Sequence, residues 1–158
     1  MSEWGSFHRV SAVVTLDNGD TLPGQIHLLG AVPYREGPET PLEMLNRSEG
    51  FFPLTFDDGG VLLLSKATVA TVVCESNSPA VTSLSEDEPE GHPEPVMSLE
   101  LVLTTGEEIQ GQARPGIGHD RPRPVDYLNS VSPFFEVLTD GGSRLVNRLH
   151  VRFVRPLD

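Results

Sequence analysis

The sequence predicts an all-β fold made of two tandem, five-stranded small barrels that arose by internal duplication. Three observations carry this prediction. The chain aligns with itself, in order, along most of its length. Apolar residues alternate with period two in short runs, the pattern of half-buried strands. Gly (15) and Pro (14) are abundant among 158 residues, which favours many turns over long helices.

The duplication is read from matching segments. Asn18-Gly19-Asp20-Thr21-Leu22-Pro23-Gly24-Gln25-Ile26 stands against Thr105-Gly106-Glu107-Glu108-Ile109-Gln110-Gly111-Gln112-Ala113. Pro41-Leu42-Glu43-Met44-Leu45-Asn46 stands against Pro124-Val125-Asp126-Tyr127-Leu128-Asn129, and Phe51-Phe52 against Phe134-Phe135. Asp58-Gly59-Gly60 matches Asp140-Gly141-Gly142, Leu64-Ser65-Lys66 matches Val146-Asn147-Arg148, and Val69 and Val72 match Val151 and Val154.

Each repeat divides into the same elements. Residues 10–16 alternate and form a first strand. Asn18-Gly19 supplies the positive φ values of a tight hairpin. A second strand starts at Thr21 and runs to about Leu29. Gly24 lies inside it, as Gly111 does in the second copy, and a Gly within a strand marks a bulge or sharp bend. Pro23 belongs to the first copy alone and points to an edge or bulge there. A long loop follows, ending in one helical turn at 42–46. Residues 51–56 and 61–64 form a second hairpin around Asp57-Asp58-Gly59-Gly60. Residues 65–68 fit a single 3₁₀ turn before the last strand, 69–74.

The expected domains are a first barrel at 1–75, a linker at 76–96 and a second barrel at 97–158. The linker holds Pro79, Pro89, Pro93, Pro95 and the run Glu86-Asp87-Glu88, with no Lys or Arg. Such a segment buries too little apolar surface to offset its ordering entropy and reads as an extended, acidic tether. The net charge of −12 is uneven. Residues 1–75 carry 4 basic and 10 acidic side chains, residues 76–95 carry 0 and 5, and residues 96–158 carry 7 and 8. The negative parts repel a phosphate backbone, so nucleic acid is a disfavoured partner.

With these elements placed, the repeats resemble the Sm-like (SH3-like) small β-barrels. Asn18-Gly19, Gly24 and Glu43-Met44-Leu45-Asn46 stand in the order of the first Sm motif, as do Gly106, Gly111 and Asp126-Tyr127-Leu128-Asn129. The chain looks closest to an uncharacterised bacterial domain family with an Sm-like fold. It departs in its long, Pro-rich loop and in lacking the Arg/Lys-Gly pair that helps form the RNA pocket of Sm proteins. The resemblance therefore implies a fold and leaves RNA binding behind.

No catalytic, cofactor-binding or metal-ligating residue is nominated. The five histidines have no metal-site spacing, and phosphate-cradling loops are absent. Cys74 ends a β-branched strand and reads as a buried, inert thiol. It cannot form an internal disulfide and suits a reducing, cytoplasmic setting. The N-terminus lacks the pattern of a secretory signal, and no apolar run is long enough to span a membrane. The candidate interaction residues are Arg114, Arg121 and Arg123 in the second long loop, and Phe51 and Phe134. Neighbours on a strand face opposite sides. One Phe of each pair enters a core, so the other needs a cover, from the other repeat or from another chain. The alternative cover is the long loop of its own repeat. The expected function is a non-enzymatic protein-interaction or assembly module, with another protein or a second copy as partner. The long loops 27–40 and 114–124 are the expected recognition surfaces. The alternative is an RNA- or nucleotide-binding protein that uses the Arg-rich second repeat.

Overall fold

A computed structural model describes residues 7–75, 96–114 and 123–157. Residues 76–95 of the linker expected at 76–96, Arg121 and most of the second long loop lie outside the described residues. The first repeat contains β1 (Phe7–Leu16), β2 (Thr21–Leu29), α1 (Pro41–Leu45), β3 (Phe51–Thr55), β4 (Val61–Ser65) and β5 (Val69–Cys74). The second contains β6 (Met97–Leu103), β7 (Glu108–Ala113), α2 (Pro124–Ser130), β8 (Phe134–Thr139), β9 (Gly142–Asn147) and β10 (Val151–Pro156). A 3₁₀ turn precedes the last strand of each, at Lys66–Thr68 and Arg148–His150.

All ten strands form one antiparallel sheet, ordered β10-β6-β7-β8-β9-β5-β1-β2-β3-β4. Each repeat therefore has the same internal order, last strand beside first. The registers agree as well. Phe51 faces Ser65 as Phe134 faces Asn147, and Ala12 faces Gly24 as Leu99 faces Gly111. The residue equivalences read from the sequence are thus structural.

The sheet is not closed. Closure of a repeat through its own last strands is replaced by a junction between repeats, because the outer edge of β5 pairs with β9, Thr71 opposite Val146 and Val72 opposite Leu145. Edges are satisfied here by joining the copies. Among the described residues, β4 and β10 are the two free edges of the sheet.

The hairpins use their glycines in a way that differs from the expectation. Only Gly19, and not Asn18, takes a positive φ, at 93°. The Asn18 side chain instead accepts a hydrogen bond from the Asp20 amide at 3.0 Å. The turn at Gly106 has the same backbone bonds and a φ of 94°. Gly24 and Gly111 serve a different need, close approach. A Cβ on Gly111 would lie 2.2 Å from the Leu138 carbonyl oxygen, and one on Gly24 would lie 2.8 Å from that of Thr55. Pro23 lies outside the short β2–β3 ladder, which begins at Gln25, so its missing N–H costs that ladder nothing.

The first long loop is tied to its own repeat. Buried Glu39 accepts from the Leu29 amide at 3.0 Å and meets Arg47 Nε at 2.8 Å. Thr40 and Glu43 form a reciprocal capping box that starts α1. The Lys66 ammonium donates to the Met44 and Arg47 carbonyls at 2.9 and 3.1 Å. Arg148, its counterpart, donates to the Leu128 and Val131 carbonyls, both at 2.9 Å. The basic residue after strand four thus caps the end of the short helix in both copies.

Each half of the sheet has its own hydrophobic cluster. The second holds Met97, Leu99, Leu101, Leu103, Ile109, Phe135, Val137 and Val146. The first holds Val10, Val14, Ile26, Leu28, Phe52, Leu54 and Val72, together with two residues of the second repeat, Phe134 and Leu145.

Candidate interaction surface

The seam between the repeats is built from strand pairing, apolar insertion and polar clasps. Strand alternation sends Phe135 and Val146 into the second core and turns Phe134 and Leu145 toward the first. The Asn46 side chain grips the backbone of Phe134, donating to its carbonyl at 3.0 Å and accepting from its amide at 2.8 Å. Asn147, buried in the seam, donates to the carbonyls of Lys66 (3.1 Å) and Val69 (2.9 Å). Arg144 reaches Thr71 Oγ1 at 3.4 Å and pairs with Glu107 at 2.8 Å. His150 approaches the Ala67 carbonyl. One Phe of each pair does enter its own core, Phe52 and Phe135, and the cover of Phe134 is the first repeat.

The first repeat presents the same residues without a cover. Phe134 is 2% exposed, whereas Phe51 is 64% exposed. Leu145 is 1% exposed, whereas its counterpart Leu63 is 70% exposed. Val61 and Leu62 are also exposed on this edge strand. At the opposite edge, Phe153 of β10 is exposed, while its counterpart Thr71 is fully buried beneath the seam. The long loop of the first repeat leaves Phe51 uncovered. Both edges thus carry exposed apolar side chains. An unpaired strand carrying apolar side chains is a template for a further strand.

The candidate arginines have more local roles. Arg123 pairs with Asp126 at 2.8 Å, in front of α2, and both groups are exposed. The pairing lowers the Asp126 carboxyl below its usual range, chiefly by hydrogen bonding to Arg123. Arg155 pairs with Glu100. Arg114 lies beside Glu136 at a cavity of about 190 Å³ that touches Asn46 and Tyr127. Of the residues that make the seam, Asn46, Leu145 and Asn147 were not singled out by sequence, whereas Arg144 belongs to the Arg-rich second repeat. The available signal was the uninterrupted apolar run Val61–Leu64, since a strand apolar on both faces needs covers on both.

Glu136 supplies a pH-dependent contribution. Burial holds its carboxyl above the ordinary range, opposed by the Ser143 hydroxyl that donates to it and by the charge of Arg114. A raised folded value means that the stabilisation is complete below the unfolded carboxyl value and is lost as pH rises through the folded one. Glu136→Gln removes that loss. The variant should match the parent near about pH 4 and melt higher at about pH 7. Thermal melts across this range check it, and a variant less stable than the parent at the upper end contradicts it.

Among the described residues no cluster of His, Cys, Asp and Glu could hold a metal ion. Burial, with a smaller effect of Glu75, pushes the Cys74 thiol up to about 12, so the reactive thiolate is scarce at neutral pH. Among the described residues no helix is long and apolar enough to cross a membrane.

Among the described residues, fold and seam define an all-antiparallel β protein whose two repeats share one strand order, are joined edge to edge and leave their outer strands unpaired. The chain matches no protein-family model, no curated protein and no solved structure.

Proposed function

We propose that the chain is a non-enzymatic protein-interaction or assembly module of the cytoplasm, built on two Sm-like repeats joined in one open sheet, and that the β4 edge is its contact surface. The observation that carries this reading is the unequal burial of equivalent residues. Phe51 and Leu63 are exposed where Phe134 and Leu145 fill a core. Exposed apolar groups clustered at one edge of a sheet mark association surfaces more often than isolated ones do. The arginines that an anion would need are engaged within the chain at Arg123, Arg144 and Arg155.

The double variant Phe51→Glu/Leu63→Glu tests the reading, measured in dilute solution. If the two side chains serve a partner and not their own fold, the melting temperature shifts by about 2 °C or less, the range of an ordinary surface change. A fall of about 10 °C would place them in the chain's own core and overturn the reading.

A further inference from the structure

We propose that the partner at the β4 edge is an extended segment of another protein, apolar at alternate positions and basic at both ends, which adds to the sheet as a further antiparallel strand. This rests on the reading of β4 as a contact surface and names the chemistry of what that surface binds.

The backbone of β4 is placed to pair. Across the β3–β4 hairpin the Lys66 amide donates to the Gly50 carbonyl and the Phe56 amide to the Gly60 carbonyl. In an antiparallel pair, alternate residues bond to the neighbouring strand and the residues between them turn their N–H and C=O the other way. Val61, Leu63 and Ser65 therefore direct these groups away from β3, to the open side. Leu145, the counterpart of Leu63, meets Val72 on that side in the seam. β4 is 5 residues long, and the segment it takes up is of that length.

The face beside this edge fixes the apolar positions. Phe51, Pro53, Val61 and Leu63 share one face of the hairpin, because Pro53 stands opposite Leu63 and positions two apart point the same way. All four are exposed. A strand laid against β4 sets every second side chain beside this face, so those side chains are apolar. The face is more apolar than the one already covered in the seam. The second repeat has Glu136 and Ser143 where the first has Pro53 and Val61, and the Ser143 hydroxyl donates to Glu136. The hairpin that meets water has thus lost a polar pair that the covered hairpin keeps. That reversal suits an occupant other than the kind of strand that fills the seam.

Charge fixes the ends. Glu49 lies just before Phe51, at one end of the hairpin, and Asp57 and Asp58 lie in the turn before Val61, at the other. All three are exposed. Among the described residues Asp57 and Asp58 make no ion pair, and Glu49 meets Arg47 only at 3.5 Å. Residues 1–75 carry 4 basic and 10 acidic side chains. Of the basic ones, Arg35 pairs with Glu43, Arg47 pairs with Glu39, and buried Lys66 is held by carbonyls. Carboxylates at both ends of an apolar edge attract a strand with basic ends and repel an anionic surface. The chain's own β10 is poorly supplied for this, since Arg155 pairs with Glu100 and lies over the Phe153 ring.

The test uses the full chain and two end-capped synthetic peptides, Lys-Lys-Val-Thr-Val-Thr-Val-Lys-Lys and the same peptide with Glu in place of each Lys. By fluorescence anisotropy at low salt, the parent should bind the Lys peptide at least about tenfold more tightly than the Glu peptide. Phe51→Glu/Leu63→Glu should weaken binding of the Lys peptide at least about tenfold, although it adds negative charge. Asp57→Asn/Asp58→Asn should weaken it about threefold and reduce its salt dependence. The amides of Val61 and Leu63 should exchange more slowly with the Lys peptide bound, while those of β9 should not change. Undiminished binding by the Phe51→Glu/Leu63→Glu variant would make the contact one of charge alone and overturn the proposal. Equal binding of the two peptides, an Asp57→Asn/Asp58→Asn variant that binds as the parent does, or no binding of either peptide would overturn it as well. A parent mass that rises with concentration, or co-flotation with phosphatidylcholine vesicles, each lost in the Phe51→Glu/Leu63→Glu variant, would give the edge to a second copy or to a membrane instead. If the proposal fails and that variant keeps its melting temperature, β4 remains a contact surface for a partner of other chemistry. If its melting temperature falls by about 10 °C, the reading of β4 is also lost.

Discussion

Phe134→Ala lowers the melting temperature by about 10 °C, while Phe51→Ala leaves it almost unchanged. The two residues are equivalent in both sequence and register, yet Phe134 is 2% exposed in the core of the other repeat and Phe51 is 64% exposed. Truncating a buried Phe costs about 3–5 kcal/mol through lost transfer energy and a cavity. For a domain of this size each kcal/mol is worth about 2–4 °C. The cavity opens in the first repeat although the substitution lies in the second, so amides of both repeats lose protection from exchange. Equal effects of the two substitutions in thermal melts would contradict the seam.

Gly111→Ala is the second large effect, at about 3 kcal/mol, seen as a lower melting temperature and a weakened β7–β8 pairing. The added methyl would lie 2.2 Å from the Leu138 carbonyl oxygen and 2.8 Å from Val137 Cγ1. Backbone cannot rotate away as a side chain can, so the two strands separate. The β7–β8 ladder is short, with Gln112 opposite Leu138, and has little to hold it. Gly24→Ala meets the Thr55 carbonyl at 2.8 Å and should cost less. The order of the two melts checks the geometry, and a Gly24→Ala variant that melts lower than Gly111→Ala would contradict it.

Much of the fold was legible because it is local. Period two placed the strands, turn chemistry placed the hairpins, and the repeat supplied each boundary twice. The need for a cover on one Phe of each pair was legible from alternation alone. Which Phe obtains the cover was not, because Phe51 and Phe134 are each the first residue of an equivalent Phe-Phe pair and differ in what another part of the sheet places on them. The open sheet was hidden for the same reason. The strand contents do not reveal whether the outer edge of β5 turns to β4 or to β9. Arg123 stood out by its charge and proves to hold Asp126, whereas Asn147 passed unnoticed because its counterpart is the unremarkable Ser65. Polar residues that clasp a seam become visible only once the seam is known.

The central claim is that the two repeats are joined edge to edge through β5 and β9 while β4 stays open. Amide hydrogen exchange of the parent in dilute solution tests it most directly. The account predicts that β5 and β9 are protected and that β4 exchanges quickly. Fast exchange in β5 and β9, or protection of β4 equal to theirs, would contradict it.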